Sequence, residues 1–375
     1  MRVRPTLAIG AVGALLALSV SACTSGSEPS ATTSSASSTS ATASESTDTP
    51  TPVETGPSPL PTDASPLSGR AGGAGKPVLV VKFDNTHNAQ PHTGLRAADI
   101  VYLEEVEYGL TRIAAVFSTE LPPTVGPIRS ARISDLELLA QYGHPAFSYS
   151  GSQRKMHPLI AASGLIDVSG DKGGFGYFRD HSRSAPYNFF AHPAKLMTRA
   201  PKASVAKDIG FQFAYETPEG GTPVTSVFAK YPGADAKFTW NAETSRYDIR
   251  LNGRPARATE GGQQHATTVV IQYVKQYDSG FGDKFGGRTP KEDTVGSGTA
   301  WVLRDGMAYK VRWVRPSKTE GTQFIGENGQ VVPFQPGQIW IALVNRTKPV
   351  VLTYPKATAS ASASPYGTAS ASSTG

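Results

Sequence analysis

The sequence predicts an α+β fold, a mixed α/β first domain followed by a mostly β second domain, and three observations carry that expectation. Gly (38) and Pro (29) are abundant among the 375 residues while charged residues make up only 18%, a turn-rich composition that excludes a coiled coil. In the first half, apolar runs of strand length are interrupted by a segment with helical spacing. In the second half, strand-like runs recur at close intervals, with Asp-Gly and Asn-Gly pairs among them, and such pairs favour hairpins. The single cysteine also excludes a disulfide-stapled scaffold.

The chain is partitioned before these elements begin. Arg2 and Arg4 precede residues 7–20, an uncharged stretch that matches the core of a signal peptide and falls short of the roughly 20 residues a membrane span needs. Val20-Ser21-Ala22-Cys23 follows and resembles the lipobox of bacterial lipoproteins. That resemblance implies removal of residues 1–22 as a signal peptide and lipidation of Cys23. Two acyl chains hold a protein on a bilayer where one binds only marginally, so the expected location is the extracytoplasmic face of the cell membrane. Residues 23–75 are rich in Ser, Thr and Pro, with Arg70 their only base and no aromatic residue. They predict a disordered tether with an r.m.s. span of roughly 40 Å. Residues 356–375 repeat the Ala/Ser/Thr composition and predict a disordered tail.

Between them, residues 76–355 hold 32 bases and 25 acids. The turn-rich stretch 217–223 (TPEGGTP) divides this core into domains at 76–217 and 224–355. In the first, residues 77–83 (PVLVVKF) read as a buried strand, 100–108 and 112–118 as two strands joined at Tyr108-Gly109, 133–142 (ISDLELLAQY) as a helix, and 146–149 as a further strand. In the second, 226–231, 237–240, 246–251, 267–277, 300–303, 308–314 and 338–344 read as strands, with Asp305-Gly306 and Asn328-Gly329 as hairpin turns.

Several short patterns occur together: Phe83-Asp84-Asn85 at a strand end, residues 90–95 (QPHTGL), Ala98-Asp99-Ile100-Val101-Tyr102 leading to Glu107, Leu110-Thr111-Arg112, and residues 125–132 (VGPIRSAR). Phe178-Arg179-Asp180, Ala185-Pro186-Tyr187-Asn188 and, later, residues 336–341 (PGQIWI) continue the match. Jointly they resemble the YerB-like lipoprotein family of bacterial envelope proteins, whose two domains are of the DUF3048 type and of unknown function. The resemblance implies a layered β/β/α sandwich and supplies no reaction. Tyr187 and Phe189-Phe190 stand where the family pattern leads us to expect a His and a Tyr.

The candidate site is drawn from the same segments. Residues 126–132 set Arg129 and Arg132 around Ser130 after a Gly-Pro turn, and guanidinium forks suit carboxylate or phosphate oxygens, as does the start of the helix that follows. The same arginines could instead pair with Asp84, Glu105, Glu107 or Asp135. The expected strand 100–108 contains Glu104, Glu105 and Glu107, with Glu105 and Glu107 on one face and Arg112 shortly after the turn, and acids in mid-strand need partners. Asp84, Asn85, Glu107, Arg112, Arg129, Ser130 and Arg132 are therefore the expected ligand-binding set. His87 and His92 lack the spacing of a metal pair, so no metal and no cofactor are called for.

The core charge of +7 suits an anionic wall polymer; an envelope protein is the other partner class, and export makes nucleic acid an unsuitable one. No G-x-S-x-G, Walker or H-E-x-x-H motif is present. The preferred reading is a non-catalytic, lipid-anchored envelope protein that binds an anionic component or a partner protein. The alternative is an envelope hydrolase or transferase on glycan or phosphate groups, with Asp84, Glu107 and Arg129 as catalytic residues.

Overall fold

The computed structural model describes residues 58–283 and 285–356. The signal peptide, Cys23, the tether up to residue 57 and the tail from residue 357 lie outside the described residues.

The first half builds β1 (Leu79–Asp84), β2 (Ile100–Glu105), β3 (Thr111–Phe117), α1 (Ile133–Leu138), β4 (Ala146–Ser148), α2 (His157–Ala162) and β5 (Ile166–Asp167). A 12-stranded sheet runs in the order Gln323–Gly326, Met307–Arg315, Gly296–Arg304, Thr268–Gly282, Ile339–Asn345, β2, β3, β1, β4, β5, with strands Thr222–Pro223 and Arg288–Asp293 off this path. Strand Ile339–Asn345 lies parallel to both Thr268–Gly282 and β2, with Ile339 opposite Ile100 and Ala342 opposite Leu103. Strands from both sides of residues 217–223 thus form one continuous sheet.

Alternation along these strands gives the sheet two buried faces. Leu79, Val81, Phe83, Val101, Leu103, Ile113 and Ala115 pack with Val227, Ala229, Ala236, Phe238 and Ile249 of a six-stranded second sheet. Val80, Ile100, Tyr102, Ala114 and Val116 pack with Leu138, Leu139, Tyr142, Met156 and Ile160 of the helical layer. The result is an α+β fold in three layers, β/β/α. Each buried Leu, Ile, Val or Phe contributes about 1.5–3 kcal/mol.

Three boundaries differ from expectation. Residues 58–75 belong to the folded body: Leu67 and Ser68 are fully buried, and Arg70 pairs with the buried Asp99 at 2.9 Å. Backbone bonds add to these contacts, among them Ser65 N–H to Arg70 O (2.7 Å), Gly73 N–H to Asp63 O (3.0 Å) and Gly337 N–H to Ser68 O (2.8 Å), and hold a segment whose composition alone reads as tether. The strand expected to run to Tyr108 stops at Glu105, because a 3-10 turn at Glu107–Gly109 holds Tyr108 at φ 61 and Gly109 at φ 67. The helix of 133–142 is α-helical only to Leu138 and continues as a 3-10 turn over Leu139–Tyr142.

Candidate functional site

The expected residues converge where β1, β3 and residues 126–132 meet. Antiparallel register sets Asp84 opposite Arg112, and Glu104 opposite Arg112 on the other flank, so the three side chains share the face covered by α1. The turn at Glu107–Gly109 folds the chain back and returns Glu107 to the same end. Residues 126–132 run extended across the end of β1: Asp84 N–H donates to Pro127 O (3.0 Å), Arg129 N–H to Lys82 O (2.8 Å) and Ala131 N–H to Gly151 O (3.1 Å). These backbone bonds aim Arg129 and Arg132 at the two carboxylates.

Arg129 Nε lies 2.9 Å from Asp84 Oδ2. Arg132 Nη2 donates to Glu107 Oε2 at 2.6 Å, while Arg112 Nη2 is 3.9 Å from the same oxygen. Asp84 Oδ1 also accepts from the Thr86 N–H (2.7 Å) and hydroxyl (2.5 Å), and the Thr289 hydroxyl donates to Glu107 Oε1. Burial opposes ionisation of Glu107, but Arg132, the Thr289 hydroxyl and Arg112 outweigh it and hold the carboxyl below its usual range.

Arg112 is the poorly compensated member. Its side chain is 11% exposed, its Nη1 donates to Ser130 O at 3.2 Å, and burial followed by the neighbouring Arg132 disfavours its charged form. Three guanidinium groups face two carboxylates, leaving one positive charge in surplus. A depressed, doubly held carboxylate is a poor proton shuttle at neutral pH.

Asn85 and Ser130 are present as supports. Asn85 Nδ2 donates to Thr111 Oγ1 at 2.8 Å, tying the ends of β1 and β3, and Ser130 offers its carbonyl to Arg112. At the start of α1 the Arg132 N–H donates to Asp135 Oδ2 at 2.5 Å, and Asp135 is itself fully buried. Glu105 is turned away from the arginines, with Lys348 as its nearest cationic influence. His92 is buried with Nε2 2.8 Å from Asp84 O, and His87 is exposed.

Beneath the rim lies a buried cluster that the candidate list omits. Lys82 contacts Glu104 and sits 2.7 Å from Asp135 Oδ1, with both of its partners buried. Burial disfavours the lysine's charge, yet Asp135 and Glu104 outweigh it and raise its pKa. Glu104, desolvated and beside Asp135, is pushed up to about 8 despite Lys82. Glu292 is raised well above the carboxylate range by burial and then by Glu104; its Oε1 accepts from Gln276 Nε2 (2.8 Å) and the Glu105 N–H (3.0 Å). The available signal is Lys82 within the apolar run of β1, whose only other charged residue is the terminal Asp84.

Two family models match the chain, "Protein of unknown function (DUF3048) N-terminal domain" at residues 67–206 and its C-terminal counterpart at 227–341. "Putative lipoprotein YerB" of Bacillus subtilis (strain 168) is 47% identical over 290 residues, covering 72% of this chain and 81% of the relative. The crystal structure of the YerB protein from Bacillus subtilis superposes with a TM-score of 0.66, covering 77% of this chain and 99% of that one. Identity in that superposition is 20%, which supports the shared fold alone. The two family models together span more than half of the sequence, so the chain belongs to the YerB-like, DUF3048 family.

Proposed function

We propose that this protein is a lipid-anchored component of the cell envelope that binds an anionic ligand through Arg112, Arg129 and Arg132, without catalysing a reaction on it. Anchoring rests on the Val20-Ser21-Ala22-Cys23 box and on the lipoprotein name of the relative. Replacing Cys23 with Ser should move the protein from the membrane to the soluble fraction; a variant that stays as firmly bound as wild type contradicts it.

The observation that carries the binding reading is the surplus guanidinium. Arg112 is nearly buried, and the carboxylate it approaches is already held by Arg132 and Thr289. Asp84 and Glu107 are occupied by arginines, which favours a charged recognition surface over an acid/base pair. A phosphate-bearing or carboxylate-bearing wall polymer fits this chemistry.

The test is a titration of the full chain with tripolyphosphate. Arg112→Gln should weaken binding by about tenfold, one charge-assisted contact, and added salt should weaken wild-type binding further. Equal affinities of wild type and variant would remove Arg112 from the site.

A further inference from the structure

A second site lies far along the sheet from the arginines. A cavity of about 660 Å³ opens between residues 218–222, strand Met307–Arg315 and residues 326–333, within the range of small-molecule sites. We propose that it binds a neutral sugar carrying an N-acetyl group.

Its floor is an interrupted sheet edge. Strand Met307–Arg315 pairs on this side with Thr222–Pro223 through Ala308↔Thr222, and with Gln323–Gly326 from Val311↔Gly326 onward. Tyr309 and Lys310 fall between the two pairings and line the cavity. Two residues are too few to seat an added strand, whose usual length is about 5–6 residues. An acetamido group is one peptide unit, with a single N–H and a single C=O, and it matches a break of this size.

The walls supply the rest of a sugar site. Trp301 lies opposite Lys310 in register and so on the same face. The indole is half-buried, lines the cavity and has no ring or hydrogen-bond partner among the described residues. It thus offers both an apolar face for the C–H surface of a pyranose and an N–H for a hydroxyl. Asn328 and Gln330 are exposed at the rim; the Gln330 N–H donates to Asn328 Oδ1 at 3.0 Å, which fixes the turn that presents them. Tyr309 donates its hydroxyl to Pro218 O at 2.6 Å and ties the opposite wall in place. Among the lining charges, Glu219 and Glu327 exceed Lys310 by one, which opposes an anionic ligand and separates this site from the arginine rim.

The experiment is a calorimetric titration of the full chain with tri-N-acetylchitotriose, and with cellotriose, which has the same ring stack but no acetamido groups. Wild type should bind the first saturably and the second about tenfold more weakly or not at all. Trp301→Ala should cost about tenfold in affinity and Trp301→Phe less, a stacking contribution. If Trp301→Ala fails to fold, the double variant Asn328→Ala/Gln330→Ala, both exposed positions, carries the same expectation. Equal affinity for both trisaccharides, no saturable binding, an unaffected Trp301→Ala, or tighter binding of an N-acetylated, amide-capped dipeptide than of the trisaccharide would each overturn the proposal.

Discussion

Two groups of carboxylates occupy the same face of the central sheet and are treated in opposite ways. At the rim, three arginines surround Asp84 and Glu107, and Glu107 is held ionised below its usual range. One step inward, a single lysine serves Glu104 and Asp135, Glu292 has no cationic partner among the described residues, and both glutamates are pushed up. Burial differs little between the groups: Glu107 is 3% exposed and Glu104 is 1% exposed. With exposure so similar, the supply of cations separates the two groups, and the positive charge in excess at the rim rests on the nearly buried Arg112.

The largest effect should come from removing the inner cation. Lys82→Met leaves Glu104 and Asp135 buried without compensation, and breaking a buried pair costs about 3–5 kcal/mol. Urea unfolding at pH 7 measures it; a loss under about 1 kcal/mol would show that the cluster is solvated and the contrast with the rim unfounded.

A smaller effect sharpens the contrast through pH. Glu104 and Glu292 bind a proton more tightly folded than unfolded, so their contribution is fully present below the ordinary carboxylate range and is lost as pH rises through their raised folded values, about 8 for Glu104. Glu107 has the reverse sign: its contribution is present above its ordinary pKa and is lost as pH falls through the depressed folded value. Glu292→Gln keeps an acceptor for Gln276 and the Glu105 N–H but carries no charge. It should stabilise the protein by about 1–2 kcal/mol at pH 8 and change little at pH 5. Equal effects at the two pH values would show that Glu292 titrates normally.

The sequence exposed the fold where local rules decide it. The apolar run in β1, the alternation in strand Met307–Arg315 and the Asp305-Gly306 turn, with positive φ at both residues, all behave as their composition requires. Strand Arg288–Asp293 escaped notice because its RTPKED sequence is charged and contains Pro; it forms through pairing with Thr268–Gly282. At the site, the arginines and their acids were readable as a set because charged groups in strands demand partners. Which acid each arginine takes was not, since the choice depends on the left-handed turn at Tyr108 that swings Glu107 back. The Lys82–Glu104–Asp135 cluster was hidden for a similar reason: its members lie on three elements brought together only when α1 covers the sheet.

The central claim is that the rim arginines are held ready for an anion and are not merely locking the fold. Thermal melting of wild type and Arg129→Ala, each with and without tripolyphosphate, tests it most directly. Asp84 keeps the Thr86 N–H and hydroxyl as donors when Arg129 is removed, so the account predicts an apo loss of less than about 1 kcal/mol and disappearance of the anion-dependent rise in Tm. An apo loss of about 3–5 kcal/mol, with no anion effect in wild type, would contradict it and make the arginines structural.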